Sequence, residues 1–517
     1  MTGRPTGAWA LIGALLAGVA HALSFAPFGL PALQLAALAA LIALAQRQPS
    51  WQRAALTGFA FGLGWFGTGV SWVYISLHTY GELPWWMAAP STAALAALLA
   101  AFPALAAAAA HRTTARPGLR LMLAWPGAWT VSEWLRGTVL SGFPWIASGY
   151  AHTDGPLAGF APLLGVYGLC LVAAVIAGAV ALLLQRPSNA ARWGAFAVAL
   201  LLIGAGAALR TIEWTQPLGA PLKVRLVQGN IPQDLKFTEG GTALSVKRYF
   251  QLMPDEPGEH SDLVVLPESA LPLPLDDLPP EVREHLLEFP AGQGAALIFG
   301  VFLEQPRYQY YNSALGLQGD EAPQRYSKRH LVPFGEFIPF GFRWFVDLMN
   351  IPIGDQQRGE TYQAPMQLAG QRIAVNICFE DLFGGEIIAA WHDPAREPTL
   401  LLNLSNLAWF DDSIALPQHL QISRMRALET GRPLLRATNT GATAIVDPHG
   451  RVLAQLPFNQ AGALRGEVSG YQGRTPFVRC GNLAALALAA ALLGAAAAAG
   501  RHPPGSGAPN LSPARAA

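Results

Sequence analysis

The chain has 517 residues, 52% of them hydrophobic and 13% charged, with 34 Lys+Arg against 33 Asp+Glu and a formal net charge of +1. That balance excludes a single soluble domain as the first reading, and the small net charge argues against nucleic acid as a partner. A membrane protein is the class to test.

Apolar segments crowd the two ends. In chain order they run over 8–26, 30–46, 54–76, 85–110, 120–135, 158–184, 192–209 and 482–500. Most approach the about 20 residues that cross a bilayer as a helix. The fifth is the weakest of these eight, because Glu133 and Arg136 interrupt it. A cleaved signal peptide is the alternative for the first, since Ala20-His21-Ala22 resembles a cleavage site, but it explains none of the spans that follow.

Arginine sets the orientation. Arg47 and Arg53, then Arg112, Arg116 and Arg120, then Arg186 and Arg192 mark alternate loops, and cationic loops stay in the cytoplasm. An even span count places both termini there. The expected organisation is a membrane domain of about seven transmembrane helices over 1–209, an extracytoplasmic α/β domain over 210–479, a last transmembrane helix over 480–501 and a disordered cytoplasmic tail over 502–517, rich in Pro, Gly and Ser.

Within the insert, short apolar runs end at polar or turn residues. Those at 222–227, 263–266, 296–302, 373–377, 400–404 and 443–446 are candidate buried strands. The stretch 420–429 reads as an amphipathic helix with Ile422, Met425 and Leu428 on one face. Helices covering sheets make a layered α/β domain.

Three predicted strand ends carry ionisable residues. VVLPES places Glu268 past its strand, YSKRHLVPFGE carries Lys328 and Glu336, and NICFED places Cys378 just past 373–377. Side chains at strand ends meet in a crevice in such folds, so an acid, a base and a thiol can converge. Each also has an ordinary reading: a lone Cys as a small core hydrophobe, a Glu after Pro as a solvated turn, a Lys beside Arg329 as part of a charged face. A disulfide is the third reading for Cys378. Cys170 lies inside the sixth span and Cys480 at the mouth of the eighth, and an odd count leaves one thiol free. Cys378 is the best candidate for it.

VVLPES, YSKRHLVPFGE and NICFED together resemble the nitrilase, or carbon-nitrogen hydrolase, superfamily, which uses Glu, Lys and Cys on an αββα sandwich. SEWLRG from Ser132, SGFPW from Ser141, QGNIPQ from Gln228, SNLAWF from Ser405, QHLQISRMRALETGRPLLRATNTG from Gln418 and TPFVRCGN from Thr475 extend the resemblance to the bacterial apolipoprotein N-acyltransferase family. That resemblance implies about eight spans in the bacterial inner membrane, a nitrilase-like domain on the periplasmic side, and neither cofactor nor metal. It implies transfer of an acyl chain from a phospholipid donor to the α-amine of a diacylglyceryl-cysteine apolipoprotein through a thioacyl-enzyme.

By the same carry-over Cys378 is the nucleophile, Glu268 the general base and Lys328 the stabiliser of the tetrahedral intermediate. Glu336, Phe379 and Glu380 support them, and Phe237 and Trp409 contact substrate. Three positions depart from the family pattern: Phe237 stands where a Trp is usual, Phe379 where a Tyr is common, and Leu407 where an Asp is expected. A membrane-tethered amidase with the same triad is the rival enzyme reading, and eight spans exceed what a tether needs. A transporter with an outer domain is the rival from another class, but the chain shows no internal repeat.

Overall fold

The structure is a computed structural model that describes residues 7–185, 187–304, 309–341, 343 and 355–501. The expected tail at 502–517 and Arg186 lie outside the described residues. Among the described residues seven helices of twelve residues or more precede the insert: α1 Gly7–Ala22, α2 Pro31–Gln46, α3 Trp51–Gly69, α4 Trp85–Thr113, α5 Trp125–Arg136, α6 Ala161–Leu183 and α7 Asn189–Leu209. Each falls on one of the predicted apolar segments. By length and hydropathy, α4, the Pro156–Leu183 stretch containing α6, α7 and the final helix Leu483–Arg501 suffice to cross a membrane, whereas α1 and α2 are shorter apolar helices.

Packing among them relies on small residues. A Cβ on Gly58 of α3 would sit 2.4 Å from the Pro103 carbonyl oxygen of α4, and one on Gly62 would sit 2.5 Å from the Ala100 Cα. Only a missing side chain lets the two backbones come so close. The charges that weakened the fifth span are buried on α5. Glu133 accepts from Arg136 at 2.5 Å and from the Ser148 amide at 2.9 Å, and Arg136 donates to the Trp145 carbonyl at 3.0 Å. SEWLRG thereby fixes the SGFPW loop.

The insert is a sandwich of two six-stranded sheets. The strands are β1 Gln216–Gln228, β2 Leu263–Val265, β3 Ala296–Glu304, β4 Tyr310–Leu317, β5 Gln324–Ser327, β6 Met366–Leu368, β7 Gln371–Ile377, β8 Leu400–Ser405, β9 Leu434–Thr438, β10 Ala444–Val446, β11 Val452–Gln455 and β12 Gly462–Gln472. One sheet has the order β12-β1-β2-β3-β4-β5 and the other β11-β10-β9-β8-β7-β6. Each has a parallel core, β1 with β2 and β3 in the first and β7 with β8 and β9 in the second, flanked by antiparallel strands.

Leu226, Val265 and Ile298 of the first sheet meet Val375, Leu402 and Leu435 of the second in the central core. Helices α8 Glu239–Leu252 and α9 Pro280–Gln293 cover the outer face of the first sheet through Tyr249, Leu286 and Phe289. Helix α10 Ala415–Thr430 covers the outer face of the second through Leu420 and Ala427. The layering is therefore αββα, with both parallel cores buried on two faces as parallel strands require.

Helix α10 keeps the expected apolar face but buries its other face as well. Ile422, Met425 and Leu428 face away from the sheet and join the core of the apolar helices, so α10 is buried on both sides. Of its polar residues only Arg424 is partly exposed, and the others are buried. Several of them make the interior hydrogen bonds described below, and this second burial docks the sandwich against the helices.

Candidate active site

Cys378 follows β7 directly. Its backbone adopts φ 52°, and a short 3-10 turn, Cys378–Leu382, runs on from it. A β-carbon in the left-handed region costs of order 1–3 kcal/mol, which surrounding contacts must supply. Glu380 supplies several of them. It accepts from the amides of Ile377 at 2.7 Å, Arg329 at 2.7 Å and His330 at 3.1 Å, and from the Tyr326 hydroxyl at 2.8 Å. Burial raises the Glu380 pKa while those amides oppose the rise. Glu380 thus ties the Cys378 turn to the segment after β5.

That segment presents Lys328. Its ammonium donates to Glu336 at 2.7 Å and to Glu268 at 3.4 Å. Burial works against the charged lysine, but the Glu336 and Glu268 carboxylates outweigh it and hold the pKa above the ordinary lysine range. Glu268 sits beyond β2, with Oε1 accepting from Asn312 at 2.8 Å and Oε2 from the Asn406 amide at 2.7 Å. Glu336 also accepts from the Val332 amide at 2.8 Å and from Asn312 at 3.2 Å. The structure brings Glu268, Lys328 and Glu336 together in direct contact, with Cys378 within their field.

Burial, and then the Glu268 carboxylate, push the Cys378 thiol well above its ordinary value, against the pull of Lys328. The contacts to Glu268 and Glu336 use two of the three N–H donors of Lys328. All three cysteines among the described residues are free thiols.

The other expected residues lie around this centre. Phe379 is buried, with its ring 5.7 Å from His330, 5.3 Å from Phe383 and 6.4 Å from Phe143 of the membrane domain. Phe237 and Trp409 are 54% and 40% exposed, which leaves their faces open to a ligand. Trp409 also touches the membrane domain, its carbonyl accepting from Ser76 at 2.8 Å. Leu407 is fully buried. A cleft of about 600 Å³ beside Tyr326, Arg329, Gln363 and Glu386 includes none of Glu268, Lys328, Glu336 or Cys378 in its lining.

Four residues of the centre were not singled out from the sequence. Asn312 bridges the two carboxylates, and Asn406 orients Glu268 through its amide. Lys236 donates to the Glu268 carbonyl at 3.3 Å, with burial lowering its pKa to about 8. Arg436 lies behind Cys378. Asn406 had a signal, because it lies in SNLAWF, whereas Asn312 stands in an ordinary alternating strand.

Paired αββα sheets with Glu, Lys and Cys at strand ends define a carbon-nitrogen hydrolase domain, and that family, Carbon-nitrogen hydrolase, matches residues 223–475. The Apolipoprotein N-acyltransferase N-terminal domain family matches residues 17–179. An apolipoprotein N-acyltransferase of Ralstonia nicotianae is 50% identical over 92% of this chain and 90% of its own length. Those of Bordetella bronchiseptica and Nitrosomonas europaea are 45% and 43% identical, each over 94% of this chain and over 96% and 97% of their own lengths. The chain belongs to the apolipoprotein N-acyltransferase family, and it is an acyltransferase.

Proposed function

We propose that this membrane enzyme acylates the N-terminal α-amine of S-diacylglyceryl-cysteine apolipoproteins, using a phospholipid as donor and Cys378 as the carrier. The observation that carries the reading is the contact of Lys328 with both Glu268 and Glu336 beside Cys378, in a domain docked on apolar helices. Its sheets and its lipid-facing helices belong to one folded unit.

In the first half-reaction Glu268 removes the thiol proton, and the sulfur attacks an ester carbonyl of the phospholipid. Negative charge moves to the carbonyl oxygen, where Lys328 and the Phe379 N–H donate; one such donor typically contributes about 3–4 kcal/mol. The carbon–oxygen bond breaks, and Glu268 returns the proton to the leaving lysophospholipid. A thioester remains on Cys378. The lipoprotein amine then attacks it, Glu268 accepts the amine proton, the amide forms, and the sulfur leaves and recovers its proton. Glu336 keeps Lys328 aimed at the oxyanion, and Phe237 and Trp409 contact substrate from the open side.

The same reading takes all eight apolar helices as spans of the bacterial inner membrane, with the sandwich on the periplasmic side. Water is excluded because the centre opens toward lipid, so the thioester survives until the amine arrives. Incubating the purified full chain with phospholipid alone should add one acyl group to Cys378 in the intact mass, and a diacylglyceryl lipopeptide should then remove it. An acyl adduct on any other residue, or ammonia release from amides without labelled lipopeptide, would overturn the proposal.

A further inference from the structure

Behind Cys378 lies a buried polar cluster to which the reaction above gives no role. Arg436 on β9 is fully buried. One terminal nitrogen donates to Asn403 Oδ1 of β8 at 2.7 Å, to Asp381 Oδ2 at 3.2 Å and to Ser423 of α10 at 2.6 Å. The other donates to His419 Nδ1 of α10 at 2.7 Å. Arg436 cannot accept, so Nδ1 is the acceptor and Nε2 carries the His419 proton. Asn403 Nδ2 donates in turn to the Cys378 carbonyl at 3.3 Å. One guanidinium thereby joins β8, β9, α10 and the 3-10 turn at the peptide unit of the nucleophile.

We propose that Arg436 is the positioning residue of this nucleophile: it holds the left-handed turn at Cys378 through Asn403 and Asp381, and keeps a fixed positive charge behind the thiol. A planar five-donor cation suits that task, because it forks to several acceptors at once and stays charged at every physiological pH. Asp381 balances the charge and anchors the end of the turn. The SGFPW loop closes the cluster on the membrane side, with Trp145 stacked on His419 at 5.2 Å and donating to Gln418 at 2.8 Å.

The charged and titratable groups facing the thiol come from several elements. They are Glu268 beyond β2, Lys328 and Glu336 beyond β5, Lys236 before α8, Arg436 on β9 and His419 on α10. Arg436 and Lys328 favour the thiolate, while Glu268 and Glu336 disfavour it. Removing Arg436 therefore moves thiol ionisation to higher pH. Each unit of that shift lowers the thiolate fraction at neutral pH tenfold.

The test is the pH profile of iodoacetamide alkylation of Cys378 in the detergent-purified full chain, read by peptide mass spectrometry, together with the rate of acyl-adduct formation from phospholipid. Arg436→Gln alone strands the buried Asp381 charge, so the key variant is the double substitution Asp381→Asn with Arg436→Gln, which removes both charges. It is expected to fold, to alkylate with a midpoint displaced to higher pH, and to acylate at least tenfold more slowly. Arg436→Lys keeps the charge and loses the fork; its alkylation midpoint should match the wild type while acylation slows severalfold.

A folded double variant with both measurements within twofold of wild type would overturn the proposal. So would an Arg436→Lys protein that matches its alkylation midpoint and also acylates at the wild-type rate. The inference rests on Cys378 being the nucleophile. Acylation of wild type at another residue would fail that reading instead, whereas alkylation reports on the thiol without any acyl donor.

Discussion

Two buried charge clusters of the sandwich make a useful contrast. In the active centre both oxygens of Glu268 and of Glu336 have hydrogen-bond partners, and Lys328 joins the two carboxylates. At the junction with the membrane helices, Arg426 donates to Glu429 at 3.0 Å, and Glu429 accepts from the Val166 amide at 2.7 Å. Yet Arg426 Nε and NH1 and Glu429 Oε2 have no partner.

The Val166 amide is available because Gly165 interrupts α6 at φ 67°, and Phe477 packs where a Gly165 side chain would be. Burial raises the Glu429 pKa to about 7, against the pull of Arg426. The difference teaches where hydrogen bonding is made complete in this domain. The two carboxylates facing Lys328 are fully partnered, whereas the junction is held by apolar packing with an ion pair that is only partly satisfied, as is the Arg436 cluster behind Cys378, where Arg436 Nε and Asp381 Oδ1 lack partners.

Substitutions at each cluster can break or sharpen that contrast. The largest effect belongs to Cys378→Ser, which should lower acyl transfer at least about a thousandfold, because Ser lacks the thiol's acidity. Its melting temperature should stay close to wild type. A protein that retains transfer would remove Cys378 from the reaction.

Lys328→Met comes next. Transfer should fall roughly 100- to 1000-fold, and stability should drop by about 3–5 kcal/mol because two carboxylates lose their buried partner. Denaturant titration beside the activity assay separates the two losses. A stability loss without a rate loss would reduce the centre to a structural cluster like the junction.

Glu429→Gln should leave the rate within severalfold and instead change the pH dependence of stability. The folded pKa of about 7 lies above the ordinary carboxylate value of 4.5, so the folded chain binds the extra proton between them. The stability due to that proton is complete below about 4.5 and is lost as pH rises through about 7. Melting temperatures from pH 5 to 8 should show this fall in wild type and a flatter line in Glu429→Gln. Identical slopes would mean that the junction pair does not titrate.

The smallest effect is expected for Phe237→Ala. An exposed aromatic face contributes little to folding, so kcat should stay within about twofold while KM rises by less than about tenfold. An unchanged KM would remove Phe237 from the substrate surface.

Much of this was legible from local pattern. Apolar length marked all eight helices, continuous apolar runs marked β2, β3, β7 and β8, and Glu268, Lys328 and Cys378 stood at strand ends as expected. Helix α10 was legible, with Ile422, Met425 and Leu428 on one face, but the burial of its other face was not. Hydropathy periodicity cannot register that His419 and Ser423 meet Arg436, and Glu429 meets the Val166 amide, in the interior. Short edge strands such as β5, β6 and β11 carry too few residues for a period to show.

The sequence by itself determined the elements and the reactive residue types, because both follow from side-chain periodicity and from motifs of a few neighbouring residues. Only the tertiary structure decided the partners. The Asn406 amide reaches Glu268 across 138 positions, Arg436 reaches Asp381 across 55, and Glu429 reaches Val166 across 263. No local pattern encodes such pairings, since each arises where two sheets and a set of apolar helices close over groups that must then find partners out of reach of water.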